Sequence, residues 1–130
     1  MAQMRYRFLG SSGIKVSEIC LGTMMFGGAT DEAQARRIID QAAESGVNFI
    51  DTADVYADGR SEQVIGPAIK EKRDRWVLAT KGAQRMGPNV TDMGLSRRYL
   101  IRAVDASLKR LQADHIDLYY IHRVDPYTPW

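Results

Sequence analysis

Cysteine is almost absent: Cys20 is the single thiol among 130 residues, so no internal disulfide framework is available. It lies in an apolar run and is expected to be a small core residue. Histidine is scarce as well, with His115 and His122 alone, and no metal site is read from them. An excess of charge of one sign is also missing. Eighteen Lys and Arg against 16 Asp and Glu leave a net +2 with both signs interspersed, so nothing favours nucleic acid or a membrane surface as partner. No apolar run approaches the length of a bilayer span. Arg5 and Arg7 are not followed by the apolar stretch of a signal peptide, and a cytoplasmic protein is expected. What remains, 45% apolar and 26% charged residues, is the composition of a single globular domain able to bury a core.

The periodicity changes several times along the chain. Met4–Leu9 and Ile14–Ile19, separated by Gly10, Ser11, Ser12 and Gly13, predict a β-hairpin with Tyr6 and Phe8 on one face. Cys20–Met25 reads as an apolar strand broken by Gly27 and Gly28. Ala35, Ile38, Ile39 and Ala42 then repeat at helical spacing, with Thr30 or Asp31 as the N-cap and Gly46 at the left-handed C-terminal position. Val47–Ile50 predicts a buried strand ending in Asp51. Ser61 opens a helix with an apolar face of Val64, Ile65, Ala68 and Ile69, where Pro67 predicts a kink or a later start. Trp76–Thr80 is the next strand, ending in Lys81, and Gly82–Leu95 is an irregular loop. Ser96 caps a third helix with a predicted inner stripe of Ile101, Val104, Leu108 and Leu111. Ile116–Ile121 is the last strand, ending in His122. Strands alternating with helices at βαβ spacing predict an α/β fold with a parallel sheet.

Parallel strands bring their C-terminal ends to one edge, where ligands collect. Asp51, Lys81 and His122 all stand at such ends, and Tyr56 lies in the loop after Asp51. Alone, each has an ordinary explanation: a strand-end lysine is usually a surface residue, and Asp51 can cap the following turn. His115, ahead of its strand on the opposite rim, is expected to be structural or solvated. Together they describe proton chemistry. An ammonium close to a phenol favours loss of the phenolic proton, an aspartate holds the ammonium, and a histidine orients a substrate oxygen. Such a set protonates an oxyanion as it forms, which suits reduction of a carbonyl by an external hydride and implies a nicotinamide cofactor.

These residues resemble the aldo-keto reductase superfamily. The segment GVNFIDTADVYADGRSE (46–62) resembles the family signature around its catalytic Asp and Tyr, LATK (78–81) the strand carrying its Lys, and LQADHIDLYYIHRVDP (111–126) the strand and loop carrying its His. The resemblance covers roughly Phe8 to Trp130 and implies Tyr56 as general acid, Lys81 and Asp51 as its tuning pair and His122 as the carbonyl-orienting residue. It also implies NADPH as cofactor, with Gly22, Thr23, Met24 and Asp51 near the nicotinamide end, and an aldehyde or ketone as substrate. One difference bears on the shape of the substrate pocket: Gly82 and Ala83 follow the lysine, where members often carry an aromatic or aliphatic residue. Pro67 is a second departure.

The implied fold is the N-terminal half of a (β/α)8 TIM barrel, the full barrel being about 250 residues. Four parallel strands and three helices are expected after a hairpin, as one partial domain over 1–130. Thr128 and Pro129 form a helix-opening pair close to the last residue, so a truncated chain is expected. Such a chain would expose sheet edges and self-associate through them. Two other roles are open. One is a non-catalytic cofactor-binding or regulatory module of the same fold. The other is a Schiff-base lysine at Lys81, which requires an apolar lysine pocket and leaves Asp51 and Tyr56 without a joint role.

Overall fold

The computed structural model describes residues 3–129. A two-stranded antiparallel hairpin, β1 (Tyr6–Phe8) with β2 (Lys15–Ser17), precedes four parallel strands in the order β3 (Leu21–Gly22), β4 (Phe49–Asp51), β5 (Val77–Gly82) and β6 (Leu118–Ile121). Three helices connect them: α1 (Glu32–Glu44), α2 (Arg60–Ile69) and α3 (Arg97–Leu111). The α/β expectation holds, with the sheet order following the chain order as successive βαβ units require.

Caps place the helices where local chemistry asks for them. Asp31 Oδ1 accepts from the Gln34 N–H at 2.8 Å and Ser96 Oγ from the Tyr99 N–H at 3.2 Å, each satisfying a donor that the first turn leaves free. α2 has no such cap and starts from the left-handed Gly59. It begins at Arg60 and passes through Pro67 as one helix, giving way to a 3-10 segment at Lys70–Arg75. The proline neither delays its start nor divides it.

The sheet buries two faces against different partners. Ile50 and Leu78 face the helices and pack with Ile39, Ile65, Ile69 and Leu111. Phe49 and Ala79, one residue out of phase, face inward and pack with Val16 of β2, with Leu9 and Ile14 at their edge. Period-2 alternation thus divides each strand between an outer and an inner core. Asn48 locks the hairpin in place, accepting from the Ser17 N–H at 2.7 Å and donating to the Lys15 carbonyl at 3.1 Å. The hairpin therefore covers the N-terminal end of the inner face, leaving the C-terminal rim free.

Three local expectations are corrected. β3 is confined to Leu21–Gly22, because Thr23–Phe26 turns back, with the Phe26 N–H bonded to the Thr23 carbonyl at 3.0 Å. Cys20 is exposed: alternation sets it opposite Leu21, which packs on the helix-side core. On α3 the buried stripe is Tyr99, Ala103, Ser107 and Leu111, whereas Ile101 is exposed. Gly66 marks where the two helices come closest. A Cβ there would run into the Leu111 carbonyl, so α2 and α3 approach backbone to backbone, and small residues on α3 face the contact.

Candidate functional site

β4 and β5 are adjacent and in parallel register, Asp51 opposite Ala79, so two more residues along β5 bring Lys81 to the same inner face. Lys81 Nζ donates to Asp51 Oδ2 at 2.6 Å, to the Thr52 carbonyl at 2.8 Å and to the Tyr56 hydroxyl at 3.2 Å. The ammonium is thereby fully coordinated by protein groups, with the phenol oxygen as one of three partners. Both charged side chains are largely buried, so their attraction is screened less than at an open surface.

Tyr56 opens a short turn in which Ala57, Asp58 and Gly59 all have positive φ. Two non-glycine residues in the left-handed region are costly, and such geometry persists where surrounding contacts over-determine it. Within the turn the Asp58 N–H bonds the Val55 carbonyl at 3.2 Å and Arg60 Nε donates to the Ala57 carbonyl at 3.3 Å, while hydroxyl bonds fix the segments on either side of it. Thr23 Oγ1 donates to the Asp51 carbonyl at 2.8 Å, Ser61 Oγ to the Thr23 carbonyl at 2.9 Å, and Thr52 Oγ1 lies 2.9 Å from Ser61 Oγ. The Asp54 N–H bonds the Lys81 carbonyl at 3.1 Å, tying the loop to the end of β5.

His122 follows β6, with its N–H bonded to the Gly82 carbonyl at 2.9 Å. Its ring stands edge-on to Tyr56, centroids 5.8 Å apart at 85°, and its buried Nδ1 has no hydrogen-bond partner. Burial, then the nearby Lys81 charge, holds its pKa below the ordinary value, with Asp51 opposing. A neutral imidazole beside a phenol held by an ammonium can hydrogen-bond a polarised oxygen placed between the rings. The four residues that the sequence assigns to one site are brought together. The pairing of Lys81 with Asp51 gives it a polar setting, contrary to the apolar pocket that a Schiff-base lysine requires.

Gly22, Thr23 and Met24 share a cavity of about 360 Å³ with Asp51 and Tyr56. Gly22 has open space where a Cβ would stand, and Met24 is exposed. Thr23 is buried at 1% exposure, with its hydroxyl and its N–H turned to the Asp51 carbonyl and its own carbonyl taken by Phe26 and Ser61, so it shapes the wall of the cavity and, contrary to the cofactor contact expected of it, has no free polar group to offer a ligand.

Comparison with known proteins decides the family. The aldo/keto reductase family matches residues 18–130. The chain belongs to that family. As an aldo-keto reductase family member it is 45% identical to the uncharacterized oxidoreductase YrpG of Bacillus subtilis, over 98% of this chain and 42% of that protein. It is 43% identical to a probable voltage-gated potassium channel subunit beta of Arabidopsis thaliana, over 97% of this chain and 39% of that protein. Among solved structures, the holo form of aldo-keto reductase AKR11C1 from Bacillus halodurans superposes with a TM-score of 0.80 at 45% identity, over 89% of this chain and 39% of that one. The chain thus spans about two-fifths of the length of these relatives. The four strands are the corresponding part of a barrel.

Several members of the site escape a reading of the sequence. Tyr120, on the inner face opposite Lys81 in β6, places its ring 5.9 Å from Lys81 Nζ. Period-2 counting back from His122 is the signal available for it. Ser61 reads as a helix start, whereas its buried hydroxyl holds the loop from below. Asp54, in the same stretch as Asp51, faces away from the site into the helix layer beside Glu62 and Arg110.

Proposed function

We propose that the chain carries the proton-transfer half of a carbonyl reductase site, acting on an aldehyde or ketone with NADPH. The observation behind this reading is the single ammonium of Lys81 bonded at once to Asp51 and Tyr56, with the neutral His122 ring facing the same phenol. Tyr56 is the general acid. Its proton passes to the carbonyl oxygen as negative charge develops there, and the phenolate left behind rests against Lys81. Asp51 balances the ammonium and keeps it in place, since an unpaired buried cation would be driven to lose its proton. His122 donates a hydrogen bond to the same oxygen and orients it. Bound NADPH would supply the hydride that reaches the carbonyl carbon, completing the alcohol.

The residues present fit the nicotinamide end of such a cofactor. Gly22 leaves the rim open, Met24 offers an apolar surface, and Asp51 keeps a second carboxylate oxygen beside the cavity. The chain is a cytoplasmic protein in this reading.

Tyr56→Phe tests the assignment. It deletes the proton and leaves the ring, so aldehyde-dependent NADPH oxidation should fall by roughly 10²–10⁴-fold, with NADPH affinity by calorimetry changed little. Turnover within a few-fold of the parent chain would eliminate Tyr56 as the acid.

A second reading is favoured by the similarity to a channel subunit beta: a cofactor-binding or regulatory module in which turnover is negligible. NADPH binding without any Tyr56-dependent turnover would support it.

A further inference from the structure

The turn that carries Tyr56 is strained, and a residue outside the candidate site bears on it from behind. Ala57 and Asp58 both stand in the left-handed region, a conformation that relaxes unless its surroundings hold it. If the turn relaxed, Tyr56 would move with it. The N-terminal side is tied to β5, where the Asp54 N–H bonds the Lys81 carbonyl. The C-terminal side ends in Gly59, at φ 86°. A Cβ at Gly59 would stand 2.8 Å from Arg110 Cδ and 3.0 Å from Arg110 Nε. The Arg110 side chain therefore packs directly on the backbone of the turn, an approach that any side chain at position 59 would block.

Arg110 is itself fixed. Its Nε donates to Glu62 Oε2 at 2.6 Å, and a terminal nitrogen donates to Ser107 Oγ at 3.2 Å. Glu62, fully buried, accepts with its other oxygen from Thr80 Oγ1 at 2.6 Å. Charge-assisted bonds of this length are among the strong ones. Glu62 lies in the first turn of α2, three residues after Gly59, and Thr80 immediately precedes Lys81 in β5. One ion pair thus touches both segments that must be aligned for the phenol to meet the ammonium. Arg110 does not line the cavity at Asp51 and Tyr56, so it can act on the phenol only through the turn.

We propose that Arg110 is a positioning residue for Tyr56: anchored by Glu62, it holds the 56–59 turn in its strained form, so that the phenol stands at Lys81 and faces His122. Its effect on turnover rests on Tyr56 as the general acid, whereas its effect on the placement of the ring does not.

The test reads both. In the 130-residue chain the Tyr56 and His122 rings meet edge-on and should give ring-to-ring NOEs. The main variant is Arg110→Ala combined with Glu62→Gln, which removes the pin without leaving a buried charge unpaired. Its folded population should lose those NOEs and show shifted amides at Ala57 and Asp58. The kcat for aldehyde-dependent NADPH oxidation should fall by roughly 10–10²-fold, with NADPH affinity by calorimetry changed little. Arg110→Lys, which keeps the stem and the charge, should retain the NOEs. Gly59→Ala, which pushes a Cβ onto Arg110 and leaves the ion pair in place, should weaken them, and it serves if the double variant does not fold. A merely structural Arg110 would lower the unfolding midpoint and leave the rings in contact in whatever remains folded. NOEs retained in both the double variant and Gly59→Ala, or lost in Arg110→Lys as completely as in the double variant, would overturn the proposal. Turnover that survives Tyr56→Phe would remove the general acid instead, and the NOEs would still decide the role of Arg110.

Discussion

Replacing Asp54 by Asn should make the protein more stable at neutral pH and not at acid pH. The carboxyl titrates near 3.8 in a free chain and is pushed up to about 6 in the fold, by burial and then by Glu62. Between those two values the folded state holds a proton that the unfolded state has released. Stability therefore falls as pH rises through that window, at about 1.36 kcal/mol per pH unit, and the full cost is present above the folded value. Across the whole window the cost reaches about 2–3 kcal/mol at pH 7.5. Asparagine carries no charge and escapes it. The new amide is itself buried at some cost, but that contribution is the same at every pH. The diagnostic quantity is consequently the change in ΔΔG between conditions. Urea unfolding followed by circular dichroism should show Asp54→Asn gaining about 2–3 kcal/mol relative to the parent chain between pH 4 and pH 7.5. A ΔΔG that does not vary with pH would refute the reasoning, because it would mean that the Asp54 carboxylate is as well solvated in the fold as outside it.

Arg110→Leu should cost about 3–5 kcal/mol in urea unfolding at neutral pH, because Glu62, at 0% exposure, would lose its 2.6 Å partner. Adding Glu62→Gln should recover much of that loss, and a double variant no better than the single one would count against an uncompensated charge as the cause. Gly66→Ala drives a Cβ into the backbone of Leu111 and should lower the unfolding midpoint by more than the roughly 1 kcal/mol that alanine ordinarily adds to a helix. A rise in the midpoint would mean that α2 and α3 can separate freely. Self-association at micromolar concentration should be visible by sedimentation, since β3 and β6 each present an edge without a strand partner among the described residues, and Tyr120 and Ile121 are 37% and 45% exposed. A monomer under those conditions would rule it out.

The four-residue site was legible because it depends on local periodicities and one topological rule. Apolar runs of strand length ending in Asp51, Lys81 and His122, separated by helix-period segments, bring those residues to one rim whatever the details of packing. Alternation then fixes the face: Phe49 and Ala79 point inward, hence Asp51 and Lys81 do so as well. The hairpin, the helix caps at Asp31 and Ser96 and the apolar face of α2 follow from equally local signals. None of these needs knowledge of what lies across the sheet.

What the tertiary structure alone decided lies at contacts between segments distant in the chain. Ile101, Val104 and Leu108 have the apolar character of an inner stripe, yet α3 turns Tyr99, Ala103, Ser107 and Leu111 inward, and at its C-terminal end the Leu111 backbone approaches Gly66 too closely to admit a Cβ there. Cys20 looks like core and stands exposed on the face opposite Leu21. Asp54 and Asp51 sit three residues apart with the same side chain, and one joins Lys81 while the other is enclosed near Glu62 and Arg110, a pair 48 residues apart. A pattern along the chain records which residues can share a face. Which neighbour that face meets, and whether a buried charge finds its counter-ion there, is settled when distant elements pack, since desolvation and Coulomb attraction depend on position in space and not on sequence separation.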